Sequence, residues 1–264
     1  MSAQAATGHG APARLTVTTI SMEAPWTWLT KAWTEILAAP RVTLGYGLLL
    51  SIISAAVAAL LFFNDLLVLI LPLSGGFLLL GPLLAVGLYE AARRIEAGER
   101  PRLREILFVR TASPGQLAFL GVLLLLAYLA WVRIAMLLFA LINGINAQFP
   151  PIERFFSDLF FTWDGLVLLA SGTAIGGVIA FIIFAAAAVS VPILMRHRID
   201  AVTAIATSFA AVRQNPGPMI LWAWQILLLI AFGIATAFVG LILTFPLVGL
   251  ATWHAYRDLV REEA

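Results

Sequence analysis

The stretch QNPGPMILWAWQILLLIAFGIATAFVGLILTFPLVGLATWHAY, residues 214–256, is 43 residues long and contains no Lys, Arg, Asp or Glu. A helix rises about 1.5 Å per residue, so one helix of this length would be roughly 65 Å long. The hydrocarbon core of a bilayer is only about 30 Å thick. Two shorter membrane spans therefore fit better, and we place their turn near FGIATAFVG, residues 232–240.

The whole chain has the composition of a membrane protein. Its 264 residues are 62% hydrophobic and 11% charged, with a mean hydropathy of +0.99. Soluble domains contain about 25% charged residues. The chain has no cysteine, which excludes disulfides, thiolate metal sites and thiol catalysis.

The charge-free segments can be threaded as six membrane spans. Between Arg41 and Glu90 the one charged residue is Asp65, which indicates a hairpin of two spans with Asp65 in its turn. A connector at 143–165 separates two further spans, and the stretch 214–256 supplies the last two.

Basic residues are concentrated on the side of this threading that carries both termini. Of the 16 Lys and Arg residues, 14 lie there: Arg14, Lys31, Arg41, Arg93, Arg94, Arg100, Arg102, Arg104, Arg110, Arg196, Arg198, Arg213, Arg257 and Arg261. Lys and Arg accumulate on the cytoplasmic side of membrane proteins, so both termini are predicted to be cytoplasmic. This distribution explains the net charge of +2 without nucleic-acid binding.

Each hairpin is preceded by an amphipathic segment that ends at a proline. WTWLTKAWTEILAAP ends at Pro40, PRLREILFVRTASP at Pro114 and IDAVTAIATSFAAVRQNP at Pro216. Proline disfavours helix at the residue before it and is tolerated in a first helical turn. Each proline therefore marks a boundary between a surface helix and a span.

The fold predicted from these patterns is an all-α membrane protein, a six-span helical bundle with three interfacial amphipathic helices. It is a threefold repeat of surface helix and hairpin, with units 23–96, 97–198 and 199–261, preceded by a disordered cytoplasmic tail at 1–22. The apolar positions that recur at helical spacing are Trp26, Leu29, Trp33 and Ile36 in the first surface helix, and Ile199, Val202, Ile205, Phe209 and Val212 in the third.

Three polar residues occupy matching positions in the three units. Glu90 lies eight residues after Pro82, Asp200 eight after Pro192 and His254 eight after Pro246. A three-ligand metal site or a proton-handling cluster would need such residues. Polar residues also mark the ends of membrane spans in general, and both interpretations are open.

The histidine count limits haem chemistry. A haem-copper oxidase subunit needs about six histidine ligands, and this chain has three, His9, His197 and His254. No methionine shares a span with His254 to complete a single haem site. We interpret His254 as an interfacial residue between Trp253 and Tyr256, and we predict no cofactor.

Arg133 is the one basic residue within a predicted span. An arginine at mid-membrane costs at least about 2.5–3.5 kcal/mol, but Arg133 lies about 27 Å along a helix that starts near Gly115, close to the far face. Snorkelling beside Trp131 is favoured. A substrate or ion role, or a pair with Asp158 or Asp164, is the alternative.

Glycines and a connector helix complete the set of candidate features. Gly172 and Gly176 have the GxxxG spacing of close helix packing, and LSGGFLLLGP at 73–82 interrupts the second span as in helices that line transporter sites. The connector predicts an amphipathic helix that lies on the outer surface or caps the bundle, with Phe155, Phe156, Leu159 and Phe160 as its apolar positions.

Four stretches resemble one family of bacterial integral membrane proteins. They are FLLLGPLLAVGLYEAARRIEAGERP, GQLAFLGVLLLLAYLAWVRIAMLLF, TSFAAVRQNPGPMILWA and FPLVGLATWHAYRDLV, and the family is the domain of unknown function 2189 family. The resemblance extends over residues 25–261 and implies a bacterial inner membrane. Some relatives carry a putative cytochrome c oxidase label, which implies a respiratory membrane complex as a partner; the resemblance implies no catalytic residue.

We therefore expect a non-enzymatic, multi-pass inner-membrane protein that acts as an accessory or structural component within the lipid bilayer. The alternative is a small-solute or lipid transporter. A transporter needs polar groups that converge on one interior cavity, whereas an accessory subunit needs an apolar helix face for its partner.

Overall fold

The computed structural model describes residues 15–64, 66, 69–144 and 152–262. As predicted, helices make up most of this part of the chain. They are α1 Ala24–Ala38, α2 Pro40–Phe63, α3 Ile70–Ser74, α4 Gly76–Leu84, α5 Val86–Glu96, α6 Leu103–Leu107, α7 Pro114–Asn143, α8 Ile152–Phe161, α9 Trp163–Ala187, α10 Ser190–Arg196, α11 Ala201–Gln214, α12 Pro216–Ala235 and α13 Leu241–Leu259. Two short strands, β1 Leu15–Val17 and β2 Val260–Glu262, pair antiparallel.

Within the described residues, four helical segments are long and apolar enough to cross a membrane: Pro40–Phe63, Pro114–Asn143, Trp163–Arg196 and Pro216–Ala235. The bent pair Pro72–Leu84 and Val86–Glu96, with 41° between its halves, makes a fifth if it counts as one span. The prediction of six spans is therefore not confirmed. The predicted sixth span corresponds to α13, whose last turns carry His254, Arg257 and Asp258.

Helix α13 is enclosed by other helices rather than exposed along one side. It packs against α1, α2, α5 and α12, and Trp253, His254 and Tyr256 near its end are buried. The approach of α2 is close, since a Cβ on Gly47 would lie 2.8 Å from Cγ of Pro246. A helix surrounded by protein can carry polar side chains, because its neighbours supply their partners.

The three prolines mark helix starts, as the sequence predicts. Helices α2, α7 and α12 begin at Pro40, Pro114 and Pro216, where a missing backbone N–H costs no helical hydrogen bond. The predicted turn at 232–240 is also present, since α12 ends at Ala235 and α13 begins at Leu241. We call the end of the bundle where these three helices begin the proline end.

The surface helix α11 packs mainly with small residues inward. In α11, Ala201, Ala204 and Ser208 are buried, whereas Val202 and Phe209 are exposed. Small side chains let this helix approach the bundle closely.

Helix α1 buries Trp28, Ala32, Glu35 and Ile36, and it exposes Trp26 and Trp33. Of the four positions predicted to recur on one apolar face of this helix, only Ile36 is buried. The periodic pattern therefore identified the exposed face of the helix for the most part.

The segment before α1 belongs to the fold. The sequence predicts a disordered tail at 1–22; residues 1–14 lie outside the described residues, and residues 15–17 form β1. Asn215, between α11 and α12, accepts a hydrogen bond from Ile20 N at 2.8 Å and donates to Thr18 O at 3.0 Å. Backbone pairing with β2 and these contacts hold residues 15–20 against the proline end.

Replacing Asn215 with alanine should release this segment. Loss of the two hydrogen bonds removes about 1–2 kcal/mol of local stability, so amide hydrogen exchange at Thr18 and Ile20 should become about tenfold faster. Asn143→Ala is the control, because Asn143 is exposed and bonds only to Phe139 of its own helix among the described residues. Unchanged exchange in Asn215→Ala would contradict the assignment.

Candidate functional site

A cavity of about 930 Å³ separates α9 from α12. Segments α3, α4, α7 and α13 supply its other walls, and α8 lies at one end. Most lining residues are aliphatic, aromatic or glycine. Its hydroxyl-bearing lining residues are Ser74, Tyr89, Thr173 and Thr252. The cavity is therefore an apolar space rather than a polar channel.

The cavity is about as long as a bilayer core is thick. Its lining residues run from Leu168 to Ala188 along α9, which corresponds to about 30 Å of helix, the thickness of the hydrocarbon region. Along α12 they run from Ile220 to Ala235. The long axis of the cavity thus follows the membrane-capable helices.

Both ends of the cavity are closed and one side is open. Tyr89 and Trp222 are buried at the proline end, and Phe155 of α8 is buried at the other end. Along the side, Ile220 and Trp224 of α12 line the cavity and are 56% and 58% exposed. A molecule in the cavity would therefore contact the medium around the bundle laterally.

The predicted interruption of the second hydrophobic segment forms part of the cavity wall. Helix α3 ends at Ser74 and α4 begins at Gly76. The indole of Trp131 fills the bend: its Nε1 donates to the Pro72 carbonyl oxygen at 3.2 Å. A Cβ on Gly75 would lie 2.9 Å from Nε1 of Trp131, so only glycine leaves room for the ring.

The two glycines of the GxxxG pattern have different surroundings. A Cβ on Gly176 would lie 2.6 Å from Cη2 of Trp131, so Gly176 serves close packing as predicted. A Cβ on Gly172 would meet no atom within 4 Å, and Gly172 lines the cavity. Of the two glycines in this pattern, Gly176 thus allows close helix packing and Gly172 leaves open space in the cavity.

His254 and Glu35 form a buried pair between α13 and α1. His254 Nε2 and Glu35 Oε1 are 2.9 Å apart, and both residues are buried. The face of α1 that carries Glu35 also carries Trp28, whose Nε1 donates to Asp258 Oδ2 at 2.7 Å. These two polar contacts attach α1 to α13.

Sequence reasoning missed Glu35 as the partner of His254 and expected an interfacial histidine. The structure instead encloses His254 between helices. A usable signal was present, since Glu35 lies seven residues after Trp28 and three after Ala32, on the buried face of α1. A carboxylate on a buried helix face requires a partner on the neighbouring element.

The structure gives Glu90, Asp200 and His254 different partners. Glu90 accepts hydrogen bonds from Arg93 and Arg94, each at 2.7 Å. Asp200 is exposed and caps α11 by accepting from the Thr203 hydroxyl at 2.6 Å and from Thr203 N at 2.9 Å. These bonds lower the pKa of the Asp200 carboxyl.

Equal spacing from a proline does not place these three residues in equivalent secondary structure. Asp200 precedes a surface helix, whereas Glu90 and His254 lie within α5 and α13. Among the residues that the structure describes, no group of three or more His, Asp or Glu side chains could hold a metal ion.

One family model matches the chain. It is described as predicted integral membrane protein (DUF2189), and it matches residues 70–196. Residues 70–196 belong to the DUF2189 family. The match is shorter than the resemblance over 25–261. It does not include NPGPM at 215–219 or ATWHAYRDLV at 251–260, which belong to the stretches that carry the resemblance. No curated protein and no solved structure matches the chain.

The DUF2189 segment contains α3 to α10 and so supplies one side of the cavity. Gly75, Trp131 and Gly172 lie in this segment, as does α8. Helices α1, α2, α11, α12 and α13 complete the fold from outside the matched residues. The cavity therefore forms only where the DUF2189 segment meets the rest of the chain.

Arg133 of the DUF2189 segment is exposed on α7. It lies two residues from Trp131, about 200° around the helix, so Trp131 points into the bundle while Arg133 points out. The two side chains therefore lie on different sides of α7, and snorkelling of Arg133 stays a prediction. In the described residues, the ion pairs do not join Arg133 to Asp158 or Asp164.

A second histidine contact, absent from the sequence reasoning, ties the end of the DUF2189 segment to the C-terminal strand. His197 Nε2 and the Tyr256 hydroxyl are 2.7 Å apart, and His197 Nδ1 lies 2.7 Å from Glu262 Oε1. Burial lowers the pKa of His197, and the Glu262 carboxylate opposes this change. The residues are 59 or more positions apart, so no local pattern could have joined them.

Removing His254 should weaken the attachment of α1. His254→Ala leaves Glu35 buried without a partner, and breaking one side of a buried polar pair costs about 3 kcal/mol. We expect a loss of this size in the free energy of unfolding, measured by denaturant titration of the purified protein in detergent micelles.

The matched control replaces both residues, as Glu35→Leu with His254→Leu. Since this variant leaves no unpaired polar group, most of the loss should be recovered. Equal destabilisation in the single and double variants would contradict a specific pair.

Proposed function

We propose that this integral membrane protein is a non-catalytic component that binds the acyl chains of a membrane phospholipid in the cavity between α9 and α12. The apolar cavity of about 930 Å³ carries the proposal. A methylene group fills about as much space as a water molecule, roughly 30 Å³. The cavity then has room for about 30 such groups, comparable to the tails of one phospholipid.

The open side of the cavity favours a lipid as the occupant. Ile220 and Trp224 are exposed along the opening, and in a membrane their surroundings are acyl chains. A lipid tail would enter sideways without crossing water. The few hydroxyl groups of the lining favour a lipid over a polar solute, which would need convergent polar partners.

We assign the cavity to lipid rather than to a helix of a partner protein. An accessory role in a larger complex, including a respiratory one, would then use the outer helix faces. The lipid would be a structural ligand or the cargo of a lipid transporter.

The absence of a catalytic step is part of the proposal. It is supported by the engagement of the chemically capable side chains in structural contacts. His254 is paired with Glu35, Glu90 with two arginines, and Asp200 caps a helix. None of these four acidic and histidine residues lines the cavity.

We propose a bacterial inner-membrane location, with α13 as a sixth span and both termini in the cytoplasm. The supports are the concentration of Lys and Arg at the proline end and the three long helices that begin at prolines after surface helices. In this arrangement the units 23–96, 97–198 and 199–261 form a threefold repeat, and α8 belongs to an insertion in the second unit.

Reporter fusions test this topology. A reporter that is active only in the cytoplasm should be active after the C-terminal residue. The same reporter inserted after Gly144 should be inactive, and a reporter of external location should show the reverse pattern. An external C-terminus would contradict the six-span arrangement.

Filling the cavity should abolish lipid retention. Gly172 and Gly177 line the cavity, and a Cβ at either would meet no atom within 4 Å, so Gly172→Leu and Gly177→Leu place a side chain in the proposed lipid site without a clash. Phospholipid that resists detergent exchange, measured by native mass spectrometry, should be retained by the wild type and fall at least about tenfold in both variants.

Gly45→Leu is the matched control, because Gly45 lies on α2 with the same free space but outside the cavity lining. It should retain lipid like the wild type. Equal retention in all four proteins, or a retained protein chain instead of a lipid, would contradict the proposal.

A further inference from the structure

Helix α8 forms the end wall of the cavity. Phe155 and Leu159 lie one turn apart on one face of this helix, and both are buried and line the cavity. They pack against Leu69, Leu168 and Leu169 in a small cluster separate from the main hydrophobic core. The end of the cavity is thus built by its own set of contacts.

The last residues of α8 and the turn after it carry exposed aromatic side chains. Phe160, Phe161 and Trp163 are 49%, 87% and 78% exposed. Aromatic side chains at such positions favour the boundary between acyl chains and headgroups. Helix α8 therefore stands at the end of the cavity away from the proline end, where it would stop a lipid tail.

A tight turn fixes the position of α8 relative to α9. The Thr162 hydroxyl accepts from Gly165 N at 3.1 Å and donates to Asp158 O at 2.6 Å. A Cβ on Gly165 would overlap Asp158 O, so the close return of the chain needs glycine here. The wall cannot slide along α9 without breaking these contacts.

We propose that Phe155 and Leu159 set the maximum length of the acyl chain that the cavity accepts. This inference rests on the proposed lipid binding and adds its specificity. The proline end of the cavity is closed by the buried residues Trp222 and Tyr89. The distance between this end and α8 therefore limits the length of an extended acyl chain. A chain that is too long must bend or leave through the open side, which weakens its binding.

The test compares chain-length preference in purified full-length protein. Wild-type protein in detergent is incubated with an equimolar mixture of phospholipids that share one headgroup and differ in saturated chain length. Bound lipids are identified by mass spectrometry. A parallel mixture of free fatty acids distinguishes a lipid with a headgroup from a single free chain, and retention only of fatty acids would contradict a phospholipid ligand.

Phe155→Ala should shift the preference toward longer chains. One methylene in an apolar pocket changes discrimination by about tenfold, so the ratio of bound lipid just above the wild-type limit to lipid at the limit should rise about tenfold. Leu159→Trp should shift the preference toward shorter chains. Opposite shifts in two variants of one wall cannot result from general loss of stability.

Phe160→Ala is the matched control, since it removes the same type of side chain from the exposed face of α8. Its length profile should equal that of the wild type. A profile unchanged in Phe155→Ala and Leu159→Trp, with lipid still bound, would overturn the role of α8 alone. No lipid bound by the wild type would overturn the proposed function itself.

Discussion

The enclosure of α13 by α1, α2, α5 and α12 is the constraint on which the rest of the bundle depends. A helix with this many protein neighbours does not need an apolar surface on all sides. It carries His254, Arg257 and Asp258 in its last turns, and each has a partner on another element. The proline end is assembled around these contacts, including the strands that join the two ends of the described chain.

The cavity follows from how the remaining helices are distributed. Helix α12 packs along α13, whereas α9 packs along α7 and α4. The face of α9 opposite α12 includes Gly172, Gly176 and Gly177, which are too small to fill the gap. In a soluble protein such a gap would be costly. In a bilayer, lipid tails can occupy it, which is the physical basis for the proposed ligand.

Several features of the fold were predictable because they depend on local sequence. The starts of α2, α7 and α12 follow from the conformational limits of proline, and the turn after Ala235 follows from the excess length of the charge-free stretch. The break at Gly75 was visible as a glycine pair in an apolar run. Other predictions failed where local periodicity could not distinguish a protein-facing side of a helix from an exposed side, as for Trp26 and Trp33.

The candidate site was likewise predictable from the sequence only in part. The sequence identified Gly172, Gly176 and the connector helix, but not that all three border one cavity. It singled out His254 without Glu35, which is 219 positions away. It aligned Glu90, Asp200 and His254 by spacing from a proline, yet the helices turn these residues toward separate partners.

The sequence by itself determined that the chain is a membrane protein, that three of its helices begin at prolines and that part of it belongs to the DUF2189 family. These properties are set by composition, run length and backbone sterics, which act within a few turns of helix. Only the tertiary structure decided which side of each helix meets protein, which polar residues pair and where space remains between α9 and α12. Those outcomes depend on contacts between distant segments. The hydrophobic pattern is nearly uniform around a helix that faces lipid on one side and apolar protein on the other, so it does not show which side is which.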